Sequence, residues 1–291
     1  MALKCAPTSA IQLEHKSKIH RELRMKKLAV IISSILLSSA ATTAIAADTY
    51  QSVSNLGYQY TDSNNDDQVS IDSTYYFSPK VTLGPFDEFE YINKQSNVFG
   101  AYTNNDASNV TSIGGEYFVD NFVVGASYLN NEFGSNDESY SFTAGYFLAP
   151  ELLAKAKFVE GDAGDDYALF SVAYTHLLNG TDYVGITVET DDEFDYRSVS
   201  AKYFVDLQEG NFLTVEGTFE SITEADDQWN VETNYYFSKA TSVFASYNRE
   251  DAYSFGAQHF FDQNIGLKVG YGNNAGDSDN DTYFAKMRFQ F

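Results

Sequence analysis

Tyr140-Ser141-Phe142-Thr143-Ala144-Gly145-Tyr146-Phe147-Leu148 places Tyr140, Phe142, Ala144, Tyr146 and Leu148 at every second position, with Ser141, Thr143 and Gly145 between them. A period of two belongs to a β-strand whose faces meet different environments. The same pattern recurs in both directions along the chain. Val69, Ile71, Tyr75 and Phe77 alternate with Ser70, Asp72 and Thr74. Leu213, Val215, Gly217 and Phe219 alternate with Thr214, Glu216, Thr218 and Glu220, and Ile265, Leu267, Val269 and Tyr271 with Gly266, Lys268 and Gly270. No segment holds a period of 3.6.

Two kinds of breaker alternate between these runs. One is acidic and Asn-rich, as at 62–67, 104–108, 130–138, 161–166, 190–195, 223–227, 249–251 and 273–281. The other is short, as at Asp120-Asn121, Ala149-Pro150-Glu151, 178–182, 206–211, 238–241 and 262–264. Most short breakers follow an aromatic doublet: Tyr76-Phe77, Tyr117-Phe118, Tyr146-Phe147, Tyr203-Phe204, Tyr236-Phe237 and Phe260-Phe261, with His176-Leu177-Leu178 in the remaining slot. Rings at one end of every second strand read as an interfacial girdle. The segments number sixteen: 48–61, 68–78, 95–103, 109–119, 121–130, 138–149, 151–160, 166–177, 182–190, 195–206, 211–222, 228–238, 241–248, 252–262, 265–272 and 281–291. The expectation is an all-β fold, a transmembrane antiparallel up-and-down barrel of sixteen strands, or of fourteen or twelve if a hairpin is misread. Pro79, Pro85 and Pro150 are expected in connections, where no ladder hydrogen bond is lost. The connection from Ser78 to Lys94 is the odd one. It is long for the short-turn side, and it either leads into a longer third strand or folds into the lumen.

The first 46 residues read as a separate element. Met25-Lys26-Lys27, the apolar run 28–37 and the small-residue stretch ending Ala44-Ile45-Ala46 have the order of a signal peptide, with cleavage expected after Ala46. Residues 28–37 are half the roughly 20 apolar residues that a helical span needs. Residues 1–24 then form an extension upstream of Met25, and residues 47–291 the barrel. Of 18 Lys+Arg and 41 Asp+Glu, the leading 46 residues hold 7 and 2, so the mature part carries 11 basic and 39 acidic residues, a net charge of −28. That field excludes nucleic acid as a partner. Cys5 falls in the leader, which leaves no disulfide. No cofactor or metal site is expected. Asp277-Ser278-Asp279-Asn280-Asp281 lacks the glycine and distal glutamate of a calcium loop. With 22 Tyr and 23 Phe, the chain carries more rings than a soluble acidic protein would expose, as a lipid-facing band requires.

Tyr283, Met287, Phe289 and Phe291 alternate outward along the last strand and end on phenylalanine. That ending resembles the signal that outer-membrane barrels present to their assembly machinery. Together with Tyr75–Phe86 and the turn Leu177-Leu178-Asn179-Gly180, it makes the mature chain similar to the small general (diffusion) porins of Gram-negative gammaproteobacterial outer membranes. The resemblance implies passive diffusion of small hydrophilic solutes and ions, residence in outer-membrane lipid beside lipopolysaccharide, and often a homotrimer. Such porins usually fold a long external loop into the lumen, and the external candidates here, 130–138 and 273–281, are short for it.

If the apolar series faces lipid, the other series lines a channel. Its charged members are Glu116, Lys155, Lys157, Glu189, Lys202, Glu216, Glu220, Glu232, Lys268, Lys286 and Arg288. Asp66, Asp67, Asp165, Asp166, Asp191, Asp192, Asp226, Asp227, Asp277 and Asp279 would ring the outer mouth and enrich cations there. Gly57, Gly145, Gly185, Gly256, Gly266 and Gly270 in the luminal series argue against a filled interior. A structural or adhesive surface barrel without an open pore is the alternative. An enzyme is not expected, because the mature part keeps only His176 and His259, both just before short turns.

Overall fold

Alternation of apolar and polar side chains suits a sheet with lipid on one side and water on the other, and a sheet in lipid must close to leave no unpaired edge. A computed structural model describes residues 48–62, 66–105, 108–133, 135–162, 166–273 and 280–291. Leader residues 1–46 lie outside the described residues. In order, the strands are β1 (Thr49–Thr61), β2 (Asp66–Val81), β3 (Asn97–Asn104), β4 (Ser108–Val119), β5 (Phe122–Phe133), β6 (Ser135–Ala149), β7 (Leu152–Gly161), β8 (Tyr167–Asn179), β9 (Asp182–Asp191), β10 (Tyr196–Gln208), β11 (Asn211–Ile222), β12 (Gln228–Ser238), β13 (Thr241–Asn248), β14 (Tyr253–Phe260), β15 (Ile265–Asn273) and β16 (Asp281–Gln290). Each pairs antiparallel with its neighbours in sequence, and β1 pairs with β16, so the barrel is closed. Sixteen strands is the count read from the sequence.

The seam is set by register. Asn55 faces Arg288 and Tyr60 faces Tyr283 across β1 and β16. Beyond the last ladder pair, Phe291 continues the bonding. Its N–H donates to Ser52 O (2.9 Å), and its carbonyl accepts from Gln51 N (2.5 Å) and Ser52 N (2.8 Å).

Pro79 is a correction. It lies inside β2, which runs on to Val81, rather than in a connection. The β1–β2 register jumps here from Tyr50↔Lys80 to Ser52↔Tyr75, so Pro79 occupies a bulge where no ladder donor is needed.

The aromatic doublets are a second correction. Consecutive strand residues point to opposite faces, so one doublet cannot place both rings in one girdle. Phe77, Tyr117, Tyr146, Tyr203, Phe237 and Phe261 are exposed on the outer face and do form an aromatic band at the short-turn end. Their neighbours point inward. Phe147, Phe204, Tyr236 and Phe260 are buried, and Phe118 packs against Phe147 with ring centroids 6.2 Å apart. Higher on the outer wall, Ile113, Phe142, Phe158, Phe170 and Val188 form the apolar surface that a bilayer would cover.

Candidate functional site: a strap across the lumen

The inward rings surround residues 82–96, the connection between β2 and β3. This strap is turned by Gly84 at φ +143°, a conformation that favours glycine, followed by Pro85. Leu83 N donates to Glu88 O (2.9 Å) and Glu88 N to Pro85 O (3.3 Å), closing a tight internal loop. A Cβ on Gly84 would lie 2.5 Å from the Phe212 ring, so this backbone is pressed against β11.

The strap's contacts place it across the barrel. Phe86 N donates to Lys239 O (3.0 Å), Phe86 O accepts from Gln290 Nε2 (2.8 Å), and the Phe86 ring packs edge-on to Phe260 at 5.6 Å. Six residues on, Ile92 packs in one cluster with Val123 of β5, Phe147 of β6 and Leu153 of β7. Strands β14–β16 and β5–β7 stand on opposite sides of a sixteen-strand ring, so the chain between Phe86 and Ile92 spans the lumen. The connection left open between two readings is therefore luminal. It enters from the end that carries the short turns and both barrel ends, the periplasmic end in bacterial single-chain barrels.

At mid-span the strap buries charge. Glu88 is 5% exposed; its Oε2 lies 2.7 Å from Lys202 Nζ and its Oε1 accepts from Tyr236 Oη at 2.8 Å. Lys202 also reaches Glu216 Oε1 at 2.6 Å, so one ammonium sits between two carboxylates. Burial pushes the Glu88 carboxyl above its usual value, against the pull of Lys202. Next to it, Asp87 Oδ2 accepts from Gln258 Nε2 (2.6 Å). Tyr91 Oη meets Thr187 Oγ1 at 2.8 Å. A Cβ on Gly185 would lie 2.3 Å from the Tyr91 ring, and one on Gly270 would lie 2.3 Å from the Phe284 ring. Gly185, Gly256, Gly266 and Gly270 thus make room for rings, which reverses at these positions the reading that the luminal glycines argue against filling; Gly57 and Gly145 instead face Ser70, and Val123 with Lys155. Against the strap residues Leu83 and Tyr91, Tyr183, Phe204 and Phe212 stack in a row, with centroid spacings of 5.7 and 6.0 Å.

Strand parity puts the charged wall residues on the face the strap touches. Lys202 is two residues from Phe204, Glu216 and Glu220 are four and eight from Phe212, and Glu232 is four from Tyr236. Arg288 and Lys286 step back from Gln290 in the same way. Most of them are paired. Lys155 Nζ is 2.7 Å from Glu116 Oε1, Lys268 Nζ 3.4 Å from Glu232 Oε1, and Lys286 Nζ 3.9 Å from Asp72 Oδ1. Glu220 Oε1 accepts from Tyr196 Oη (3.5 Å), and Arg288 Nε donates to Gln290 Oε1 (2.9 Å). Lys157 and Glu189 line a hollow of the wall together with Glu116 and Lys155. Sequence reasoning missed Asp87, Glu88, Tyr236, Gln258 and Gln290. The available signal was the inward parity of one ring in each doublet, beside a turn containing Phe86, Phe89, Tyr91 and Ile92.

A general-porin family profile, described as "Putative general bacterial porin", matches residues 25–291. This chain belongs to that family. The barrel superposes on the crystal structure of the Acinetobacter baumannii outer membrane protein Omp33 with a TM-score of 0.54 at 18% identity, covering 84% of this chain and 99% of that one. A mutant form of the Rh. blastica porin matches with a TM-score of 0.51 at 12% identity, over 84% and 99% of the respective chains. At these identities the two structures speak for the fold alone. No curated protein sequence matches the chain. Family and fold together make it an outer-membrane diffusion porin.

At the other end of the porin, Asp66, Asp67, Asp166, Asp191, Asp192, Asp226 and Asp227 lie at or beside the long connections, whereas Asp165, Asp277 and Asp279 lie outside the described residues. Several help order the rim. Tyr58 Oη donates to Asp67 Oδ1 (2.7 Å), Ala168 N to Asp192 Oδ1 (3.1 Å), and Arg249 pairs with Asp226 at 3.3 Å. Of the outward series on β16, Tyr283 is exposed on the lipid side.

Proposed function

We propose that this porin is a mildly cation-selective channel whose narrowest level is the strap. The observation that carries the reading is the span from Phe86 to Ile92, because a chain bonded to opposite walls must narrow whatever path remains. Selectivity would arise mainly at the mouth. In the wall, cations and carboxylates largely neutralise one another in pairs, while the acidic connections carry most of the net −28. An acidic rim raises the local cation concentration and loses its effect as the Debye length falls from ~10 Å at 0.1 M salt to ~3 Å at 1 M. The family and fold suggest a channel rather than an enzyme. In keeping with that, His259 Nδ1 lies 2.9 Å from Thr241 Oγ1 on the exposed face, and His176 stands beside Tyr174 on the same face.

We also infer export by residues 25–46, in line with a family match that begins at Met25, and assembly into the outer membrane through the strand that ends at Phe291. Lipopolysaccharide neighbours and a homotrimer belong to the same reading. The second reading, a structural barrel without an open pore, is favoured by the ring packing around the strap. Single-channel recording of the purified protein under a salt gradient decides between them. Long-lived conductance steps with a cation-biased reversal potential support the channel, and steps in groups of three support the trimer. Folded protein that passes no current establishes the structural barrel.

A further inference from the structure

A hollow of about 230 Å³ opens in the wall formed by β3–β9, with no strap residue in its lining but two residues along the strands from the strap contacts Val123, Leu153 and Thr187. Four charged side chains line it: Glu116, Lys155, Lys157 and Glu189. Two of these are already satisfied, since Lys155 and Glu116 form a 2.7 Å ion pair. The hydroxyls of Ser127 and Ser141 are likewise engaged with each other at 2.7 Å. Lys157 and Glu189 are different. Neither makes an ion pair or hydrogen bond among the described residues. An ammonium and a carboxylate thus face the same small space without meeting.

Register sets the distance between their backbones. Lys157 is opposite Leu169 of β8, and Glu189 is opposite Ser171 of β8 from the other side. Two inter-strand steps of ~4.8 Å therefore separate their backbones, with a further stagger of two residues. The two side chains, unpaired across this distance, leave room between their heads for a small solute.

We propose that this hollow is a low-affinity binding site for zwitterionic solutes of amino-acid to dipeptide size, the carboxylate going to Lys157 and the ammonium to Glu189. A simple anion would meet Glu189 and Glu116 as repulsion, and a simple cation would meet the two lysines. A neutral polyol would leave both unpaired charges idle. Only a solute carrying both signs satisfies the two together, and the hydroxyl of Ser171 between them offers a further contact. Each contact is a charge-assisted hydrogen bond in a partly wet site, strong enough to dwell on and weak enough to leave, as conduction requires.

This inference rests on the porin reading, and the experiment separates the two. Ion current through the purified protein in a planar bilayer is recorded while alanine or glycylglycine is added, with acetate, methylammonium and glycerol as controls. Alanine and glycylglycine are expected to reduce the mean current saturably in the millimolar range, with the three controls at least about tenfold weaker. Lys157→Met and Glu189→Gln should each raise the half-blocking concentration about fivefold, and heat-modifiable gel migration checks that both variants fold. Equal block by alanine and glycerol, or equal half-block in wild type and both variants, overturns the site. A wild-type protein that folds but passes no current overturns the open channel instead. Equilibrium dialysis of labelled glycylglycine against the detergent-solubilised protein then decides the site: retention by wild type above the double variant supports it, and equal retention overturns it.

Discussion

Replacing Lys202 by methionine removes the cation from Glu88 and leaves the volume of the side chain nearly unchanged. Glu88 is 5% exposed and its carboxylate is held by two groups, Lys202 at 2.7 Å and Tyr236 Oη at 2.8 Å. Removing one partner of a buried ion pair costs ~3–5 kcal/mol, mostly as the penalty of an uncompensated charge. Tyr236 remains as a donor and Glu88 can escape by taking up a proton, so the lower end of that range, about 3 kcal/mol, applies to docking of the strap. That is about a hundredfold shift from docked toward undocked. Hydrogen exchange over 82–96 reads it directly. The Leu83 and Phe86 amides, bonded to Glu88 O and Lys239 O, should exchange about a hundredfold faster in the variant at pH 8. Single-channel conductance should rise with it. Glu88→Gln alone should do little, because Lys202 keeps Glu216 at 2.6 Å, and Glu88→Gln added to Lys202→Met should restore most of the protection. The pH dependence has a definite sign. The docked strap holds Glu88 above the ordinary value of 4.5, so docking binds a proton. Its contribution is fully present below 4.5 and is lost as pH rises through the raised value. Lys202, Glu216, Tyr236, Tyr183 and Asp87 are the groups that set the field there. Loss of Lys202 deepens the shift, so acidification should return the variant to slow exchange and low conductance. Unchanged exchange and conductance in Lys202→Met at pH 8 would refute the argument that this pair holds the strap.

Three other outcomes follow from the same geometry. Gly185→Val should push Tyr91 off Thr187, because even a Cβ would sit 2.3 Å from its ring; overpacking of ~1–3 kcal/mol should appear as faster exchange in 82–96 with the barrel's heat-modifiable migration intact. Deleting Phe291 removes three backbone hydrogen bonds at the seam. At ~0.5–1.5 kcal/mol each, the variant should unfold in measurably less urea, whatever else it loses in assembly. Neutralising Asp66, Asp67, Asp226 and Asp227 to asparagine should bring the reversal potential closer to zero in 0.1 M salt and change it little in 1 M; a potential unmoved at low salt would place selectivity in the wall rather than at the mouth.

The strands were legible because their signal is local. Each carries its own alternation, and every segment read from the sequence overlaps its strand, with β11, β12 and β13 matching end to end. Parity is equally local for the wall charges, and it sets Lys202, Glu216 and Glu232 on one face of the wall. The strap was not legible, because what places it is held at long range. Glu88 finds Lys202 and Tyr236, Asp87 finds Gln258 and Phe86 finds Gln290, at separations of more than a hundred residues that no window along the chain contains.

Yet the chain did hold a trace of it that strand reasoning passed over. A turn in water has no use for Phe86, Phe89, Tyr91 and Ile92 within seven residues, and burying rings of that size is worth ~1.5–3 kcal/mol each. Two places could take them, the lipid band or the lumen. Asp87, Glu88 and Glu90 interleaved among the rings rule out lipid, where an unpaired carboxylate is far too costly. The lumen remains, and it can receive aromatic residues only where the wall itself offers inward rings. The doublets supply these at the short-turn end, since Phe204, Tyr236 and Phe260 point inward beside Tyr203, Phe237 and Phe261 pointing out. A Tyr-Phe pair at the end of a barrel strand therefore signals more than an interfacial anchor. It marks the level at which something apolar is held inside, and in this porin that level is where the strap crosses.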